Sequence, residues 1–316
     1  MGAPEAGRPA TAAGTTSGPG GAPVISPGMW PVLALMLNAF TWGVAWWPFR
    51  QLQAQGLHPL WATVLIYLLA VAVITVARPR AWGMLARTPT LWVLVLAAGT
   101  TNAAFNWGVT AGDVVRVVLL FYLMPLWTVL LARLLLGEKL DGAAALRGAL
   151  ALAGAATVLW PAQGGLPLPA SLSEWLGVLG GFTFALNNVM LRRESHRPEE
   201  ARALAMFGGG ALVAGVLALQ LGLQGSVPWP PAPASPWVLG VGLMALAFLA
   251  GNLALQYGAA RLPANMTAAV LITEVIFATG SAILLGAGVL TPQVALGGAL
   301  IVTATLLATR RGKAAP

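Results

Sequence analysis

The sequence predicts an all-α membrane protein with ten transmembrane helices, arranged as a 5+5 inverted-topology repeat. Of its 316 residues, 58% are hydrophobic and 8% are charged, whereas a soluble domain carries about 25% charged residues. Apolar stretches near the roughly 20 residues that a helix needs to cross a bilayer recur along the chain. They lack the alternation of barrel strands, as Leu60 to Ala77 illustrates.

Charged and Pro- or Gly-rich stretches separate the apolar segments and thereby set the predicted helix ends. The predicted spans are 30–49, 59–77, 89–108, 113–136, 142–160, 172–191, 203–223, 236–257, 263–286 and 291–309.

Basic residues concentrate in alternate loops. Of the 17 Lys and Arg residues, 15 fall on the side of the termini, which leaves Arg50 and Arg116 for the other side. Because positive residues collect in cytoplasmic loops, we expect both termini to be cytoplasmic, in a bacterial-type inner (plasma) membrane. The same bias explains the net charge of +8 without nucleic acid, so no nucleic-acid partner is predicted. Cysteine is absent, which excludes disulfides and thiolate metal sites.

Three pairs of segments suggest an internal repeat. Residues 40–51 align without a gap over 182–193, and 102–108 align over 252–258. With a one-residue slip, 123–138 also align over 273–287. Helices 1 to 5 therefore correspond to helices 6 to 10, and the odd number makes the second copy enter the membrane from the opposite side.

The predicted organisation has four parts. Residues 1–28, rich in Gly, Ala, Pro, Ser and Thr, form a disordered cytoplasmic tail. Residues 29–160 form the first five-helix repeat and 172–309 the second. Residues 310–316 form a basic cytoplasmic tail. Two such halves can rock around a shared site near the middle of the membrane, which predicts a transporter.

The chain resembles the EamA family of the drug/metabolite transporter superfamily over about residues 30–309. The resemblance lies in the span count, in Trp42 with Gly43, and in Pro125 followed by Gly137 and Glu138 at the end of the fourth span. Segments 113–132 and 251–258 are similar to aromatic amino acid exporters of that family. The second half departs from the pattern, because Glu274 stands opposite Pro125 and Ala287 opposite Glu138.

Glu274 and Pro125 lie near the middle of their predicted spans. An ionised carboxylate at this depth costs several kcal/mol unless it faces a cavity or a partner. Glu274 is therefore a candidate to bind a substrate amine or carry a proton, and a structural carboxyl group is the alternative. Pro125 removes a helix hydrogen bond and exposes a carbonyl group near the cavity, and a chemically silent packing kink is the alternative. Neighbouring Tyr122 and Trp127 either line the site or face lipid.

Amide side chains within the spans need partners, because burying an unpaired amide is costly. Asn102 and Asn252, which occupy equivalent positions, are the preferred substrate-binding pair. Interhelical hydrogen bonds are the alternative. Trp42 lies deep enough to stack on an aromatic or cationic substrate. The complete predicted substrate-binding set is Trp42, Asn38, Asn102, Tyr122, Pro125, Asn252, Gln256 and Glu274.

Near the outer surface, Trp46 and Trp47 are predicted to belong to an interfacial aromatic belt. Arg50 is predicted to reach the lipid headgroups. Asp113 and Arg116 are predicted to form an ion pair.

The predicted function is a secondary-type exporter of small organic metabolites by alternating access, with aromatic or hydrophobic amino acids as the leading cargo. Export of drugs or cationic amphiphiles is the first alternative, and a channel or lipid flippase is the remote one. The predicted partners are the small-molecule substrate, the lipid bilayer and protons. The two histidines, His58 and His196, belong to no catalytic motif, so neither an enzyme nor a cofactor is predicted.

Overall fold

The computed structural model describes residues 29–137, 142–161, 166–233, 235–259, 261–262 and 264–309, without the side chains of residues 235, 256, 264, 265, 268, 269, 308 and 309. Both predicted tails, 1–28 and 310–316, and Glu138 lie outside the described residues. Within this part, all regular structure is α-helical. The helices are α1 (Met29–Val44), α2 (Trp46–Ala54), α3 (Pro59–Ala77), α4 (Arg80–Arg87), α5 (Pro89–Ala111), α6 (Val114–Phe121), α7 (Met124–Leu136), α8 (Gly142–Leu159), α9 (Leu172–Arg193), α10 (Glu199–Leu223), α11 (Ser235–Ala259), α12 (Ala264–Leu271), α13 (Thr273–Leu284) and α14 (Pro292–Thr309).

Helical structure lies at each of the ten predicted spans. Among the described residues, six helices are long and apolar enough to cross a membrane, when α1 with α2 and α6 with α7 are counted as continuous. A seventh is added if the bent pair α4 and α5 is one span. Thr273–Leu284 and Pro292–Leu307 are shorter apolar helices. The all-helical class with several membrane spans is confirmed, and the count of ten with its inverted repeat stays a prediction.

Two of the predicted spans are interrupted in the middle. The fourth breaks at Tyr122 and Leu123, between α6 and α7, and the ninth breaks at Ile272, between α12 and α13. Pro125 explains the first break, because it lies in the first turn of α7 and has no N–H group for the carbonyl of Phe121, four residues earlier. The second break has no proline at the corresponding position.

A sharp bend precedes the third predicted span. Thr88 is extended, with φ −121° and ψ 93°, as expected for a residue followed by proline. The short helix α4 therefore lies at 102° to α5. It contributes buried Ala81 and Leu85 to a core shared with α5, α9 and α10.

Glycines allow the closest helix contacts. A Cβ atom at Gly154 of α8 would lie 2.6 Å from the carbonyl oxygen of Gly297 on α14, and a Cβ atom at Gly297 would lie 2.6 Å from the carbonyl of Gly154. Small residues of this kind let backbones approach where lipid supplies no hydrophobic driving force. The broader packing places α5 between α9 and α10, and α1 between α11 and α13.

Candidate functional site

The two helix breaks lie close to each other through Tyr122 and Glu274. Tyr122 is buried, with 3% of its surface exposed, and lies within electrostatic range of the Glu274 carboxylate. Glu274 is in the first turn of α13, just after the break at Ile272. Helix α6 also packs directly on α13. The structure therefore brings together two of the predicted site residues from opposite halves of the chain.

Helix α1 passes directly beside this point. A Cβ atom at Gly43 would lie 2.8 Å from the carbonyl oxygen of Glu274 and 2.7 Å from the Cβ atom of Phe277. A larger residue at position 43 would therefore push α1 away from α13. Glycine at position 43, which follows Trp42 in the sequence, therefore allows the backbone of Glu274 to lie against α1.

Trp42 belongs to an aromatic cluster, defined here as Trp42, Tyr67, Phe207 and Phe248. The Trp42 ring stacks on Phe248 of α11, with centroids 4.4 Å apart and planes inclined by 17°. Tyr67 of α3 meets the same Phe248 ring edge-on at 6.2 Å and lies 5.6 Å from Phe207 of α10. Trp42 is half-buried, so it packs inside the bundle with part of its surface accessible.

Asn102 joins the aromatic cluster through a hydrogen bond. The Tyr67 hydroxyl group donates to Oδ1 of Asn102, while Nδ2 of Asn102 donates to the carbonyl oxygen of Ala98 at 2.8 Å. Asn38 is buried, and its Nδ2 donates to the carbonyl oxygen of Gly251 at 2.9 Å. Both amides thus have protein partners. Asn38 forms a hydrogen bond between α1 and α11, as the alternative interpretation of the amides predicted. The two hydrogen bonds of Asn102 fix the orientation of its side chain.

The remaining amides of the predicted set lie on α11. Asn252 is half-buried and follows Phe248 by four residues, so both project from one face of the helix. The side chain of Gln256 lies outside the described residues.

Pro125 is buried, and the carbonyl group that it leaves without a donor belongs to Phe121. This carbonyl oxygen lies against Gly181 of α9, where a Cβ atom would be 2.3 Å from it. The expected exposure of this carbonyl toward a cavity is therefore wrong, because α9 covers it.

Two expectations for the outer end of the first span are also wrong. Trp46 is 3% exposed, and its indole Nε1 donates to Oγ of Ser281 at 2.9 Å. Arg50 turns inward and donates from Nε to the carbonyl oxygen of Val109 at 3.1 Å. The end of α5 leaves carbonyl groups without helical partners, and these attract the guanidinium group. Trp47 is 47% exposed, as a belt position requires.

Arg116 forms its ion pair with a different partner from the one predicted. Its Nη1 lies 3.1 Å from Oε1 of Glu174 on α9, and its Nη2 donates to the carbonyl oxygen of Val158 at 2.9 Å. Asp113 instead caps α6, accepting from the backbone N of Arg116 at 3.0 Å, and accepts from the backbone N of Val289 at 3.1 Å. These side chains line a cavity of about 490 Å³.

Sequence reasoning missed Tyr67, Phe207, Phe248 and Glu174. The aromatic residues sit in uniformly apolar spans, where no periodicity separates inward from lipid-facing positions. Glu174 gave a detectable signal, because it follows Ser171 by three residues, the spacing of a capping box. The structure shows Ser171 Oγ accepting from Glu174 N at 3.3 Å.

The fold and these intramembrane contacts define a multi-pass helical membrane protein. Residues 29–160 match the EamA-like transporter family, which confirms the resemblance over the first predicted repeat. One protein of known crystal structure is similar over 90% of this chain and 99% of its own, with a TM-score of 0.55 and 20% identity. This likeness concerns the fold alone. No curated protein matches the sequence.

Proposed function

We propose that the protein is a secondary-type exporter of small organic metabolites that works by alternating access in the inner membrane. The observation that carries the proposal is the pair of helix breaks, at Tyr122–Leu123 and at Ile272. They occupy corresponding positions of the two repeats in the sequence alignment, and Tyr122 lies within electrostatic range of Glu274 where α6 packs on α13. Interrupted helices at matched positions are typical of transporter binding sites.

The pairing of helices between the halves supports two related repeats. In the alignment, α1 corresponds to α9, and α5 corresponds to α11. Helix α1 packs on α11, and its counterpart α9 packs on α5. Likewise, α1 packs on α13, and α9 packs on α7. Helices α8 and α14 correspond to each other, and Gly154 and Gly297 meet reciprocally. A pseudo-two-fold axis in the membrane plane would produce these relations.

For the cargo, we propose amino acids with aromatic or other hydrophobic side chains. The aromatic cluster, with Trp42 partly accessible, offers flat surfaces on which an apolar side chain can pack. Glu274 offers a negative charge for an ammonium group. Trp42 is close to it in the structure, because Gly43 allows α1 to lie against the backbone of Glu274. These groups match the two ends of a hydrophobic amino acid.

Export of drugs or other cationic amphiphiles is the second candidate. One observation favours it. Glu274 and the stacked aromatic pair of Trp42 and Phe248 lie beside the same stretch of α1. This combination recognises cations through charge and through aromatic faces. A cationic amphiphile would use both without needing a group that binds a carboxylate.

We further propose that protons drive export through Glu274 and that both termini are cytoplasmic. The orientation rests on the distribution of Lys and Arg between the loops. A carboxyl group at mid-depth that can exchange a proton with either side would couple the proton gradient to the conformational cycle.

The test is counter-flow in proteoliposomes loaded with unlabelled phenylalanine, tryptophan, leucine or a cationic dye. A carrier should show saturable uptake of the labelled compound that is stimulated by the same compound inside. Trp42→Ala should reduce aromatic amino acid exchange about tenfold, whereas Trp47→Ala, at an exposed position of α2, should leave it near the wild-type rate. Flux that neither saturates nor responds to internal substrate would contradict a carrier, and exchange of the dye alone would favour the second candidate.

A further inference from the structure

A second cavity lies outside the candidate transport site, among the arginines at the ends of α4 and before α10. Its volume is about 720 Å³. It is bounded by α4, the start of α5 and the turn that leads into α10, including Arg80, Arg87, Thr88 and Arg197. None of the described residues that line it belongs to the candidate transport site.

The helix that forms one wall has the properties of an interfacial helix. Helix α4 buries Ala81 and Leu85 against the bundle and exposes Arg80 and Arg87. Trp82, 45% exposed, donates from its indole Nε1 to Oγ1 of Thr75 at 3.0 Å, which ties α4 to the end of α3. Its 102° angle to α5 is the orientation of a helix lying along the membrane surface beside an upright span.

The charges around this cavity are positive and incompletely compensated. Arg197 pairs with Glu194, with Nε 3.5 Å from Oε2. Among the described residues, neither Arg80 nor Arg87 forms an ion pair with an acidic side chain. Thr88 is 7% exposed, lines the cavity and gives α5 no capping hydrogen bond, so its hydroxyl group is available to a ligand beside the first turn of that helix.

We propose that this cavity binds the phosphate headgroup of an anionic phospholipid. Arg80 and Arg87 would hold the phosphate through charge-assisted hydrogen bonds, and the Thr88 hydroxyl group would complete the site. The lipid, rather than a soluble phosphate, is the proposed ligand because α4 and Trp82 place the cavity at the depth of the headgroups. Anionic lipids attract basic groups near a membrane surface. This inference extends beyond the proposed export function and does not depend on it.

The experiment is native mass spectrometry of the full-length protein in detergent, titrated with phosphatidylglycerol or phosphatidylcholine. Wild type should retain phosphatidylglycerol at least about tenfold more tightly than phosphatidylcholine. The double variant Arg80→Gln with Arg87→Gln should bind phosphatidylglycerol at least about tenfold more weakly than wild type does. The matched control, Arg78→Gln with Arg193→Gln, removes two exposed charges that do not line the cavity and should keep the preference.

Equal retention of the two lipids by wild type, or the same loss in both double variants, would overturn the proposal, since general surface charge would then explain the binding. Displacement of phosphatidylglycerol by an equal concentration of glycerol 3-phosphate would overturn the choice of a lipid in favour of a soluble phosphate. If the double variant does not fold, Arg80→Gln and Arg87→Gln are tested singly. Each should weaken retention several-fold, and unchanged retention in both would also overturn the proposal.

Discussion

The carbonyl oxygen of Phe121 lies so close to Gly181 that a Cβ atom there would be 2.3 Å away. Pro125 deprives this carbonyl of its helical donor, and α9 covers it instead. The break in the fourth span and the glycine of the sixth are therefore parts of one arrangement. A helix from one half stabilises an irregular piece of backbone in the other.

We expect Gly181→Ala to destabilise the protein by about 1–3 kcal/mol, because the added methyl group meets backbone that cannot move aside like a flexible side chain. The measurement is thermal or denaturant unfolding of the purified protein in detergent. Gly208→Ala is the matched control, because no atom beyond its own stretch of helix lies within 4 Å of the position its Cβ would occupy. Equal stability of the Gly181 variant and the control would contradict the close contact.

We expect Glu274→Gln to abolish transport driven by a pH gradient while leaving folding intact. Glutamine keeps the shape of the side chain and one accepting oxygen but cannot bind and release a proton. The measurement is substrate flux in proteoliposomes with and without an imposed gradient, with monodispersity as the folding check. Glu199→Gln, at an exposed position in the first turn of α10, should retain the wild-type response. Wild-type flux at every pH in the Glu274 variant would remove this residue from coupling.

Arg116 and Glu174 should show an interaction free energy in a double-mutant cycle. Their 3.1 Å contact joins α6 to α9, and the Glu174 side chain is 8% exposed while that of Arg116 is 35% exposed. We expect a coupling of about 1 kcal/mol, reduced from that of a fully buried pair by solvent around Arg116. The measurement is the free energy of unfolding of wild type, Arg116→Met, Glu174→Gln and the double variant. Additive effects would show that the pair does not contribute.

His58 should make stability depend on pH. Its Nδ1 accepts a hydrogen bond from the backbone N of Leu60 at 3.2 Å, and its ring lies edge-on to Trp107. Burial lowers the pKa of His58 to about 4, below the roughly 6.5 of an unfolded histidine. The unfolded chain therefore binds more protons between these values. The stabilising contribution is complete above about pH 6.5 and is lost as the pH falls toward 4.

The measurement for His58 is the thermal midpoint between pH 7.5 and 4.5. His58→Asn retains an acceptor for capping but does not titrate, so its midpoint should change less over this range. A wild-type curve parallel to that of the variant would show that His58 does not cause the dependence.

The sequence predicted the helices well, because each is a long apolar stretch closed by charge, proline or glycine. Pro125 also predicted the irregularity of the fourth span, whereas the break of the ninth span at Ile272 had no comparable signal. The sequence failed for side chains near helix ends, where Trp46 and Arg50 were assigned to the lipid interface. Their actual partners, Ser281 and Val109, are far away in sequence and provide no local signal.

Composition and spacing by themselves determined the class of this protein, because burying a helix in lipid requires a long apolar run whatever its neighbours are. They also fixed the positions of the chemically unusual residues. The tertiary structure alone decided which of them meet, such as Trp42 with Phe248 or Arg116 with Glu174. In a helix that is apolar on all sides, the inward face is set by close packing against other helices, and the hydropathy of its own sequence does not mark it.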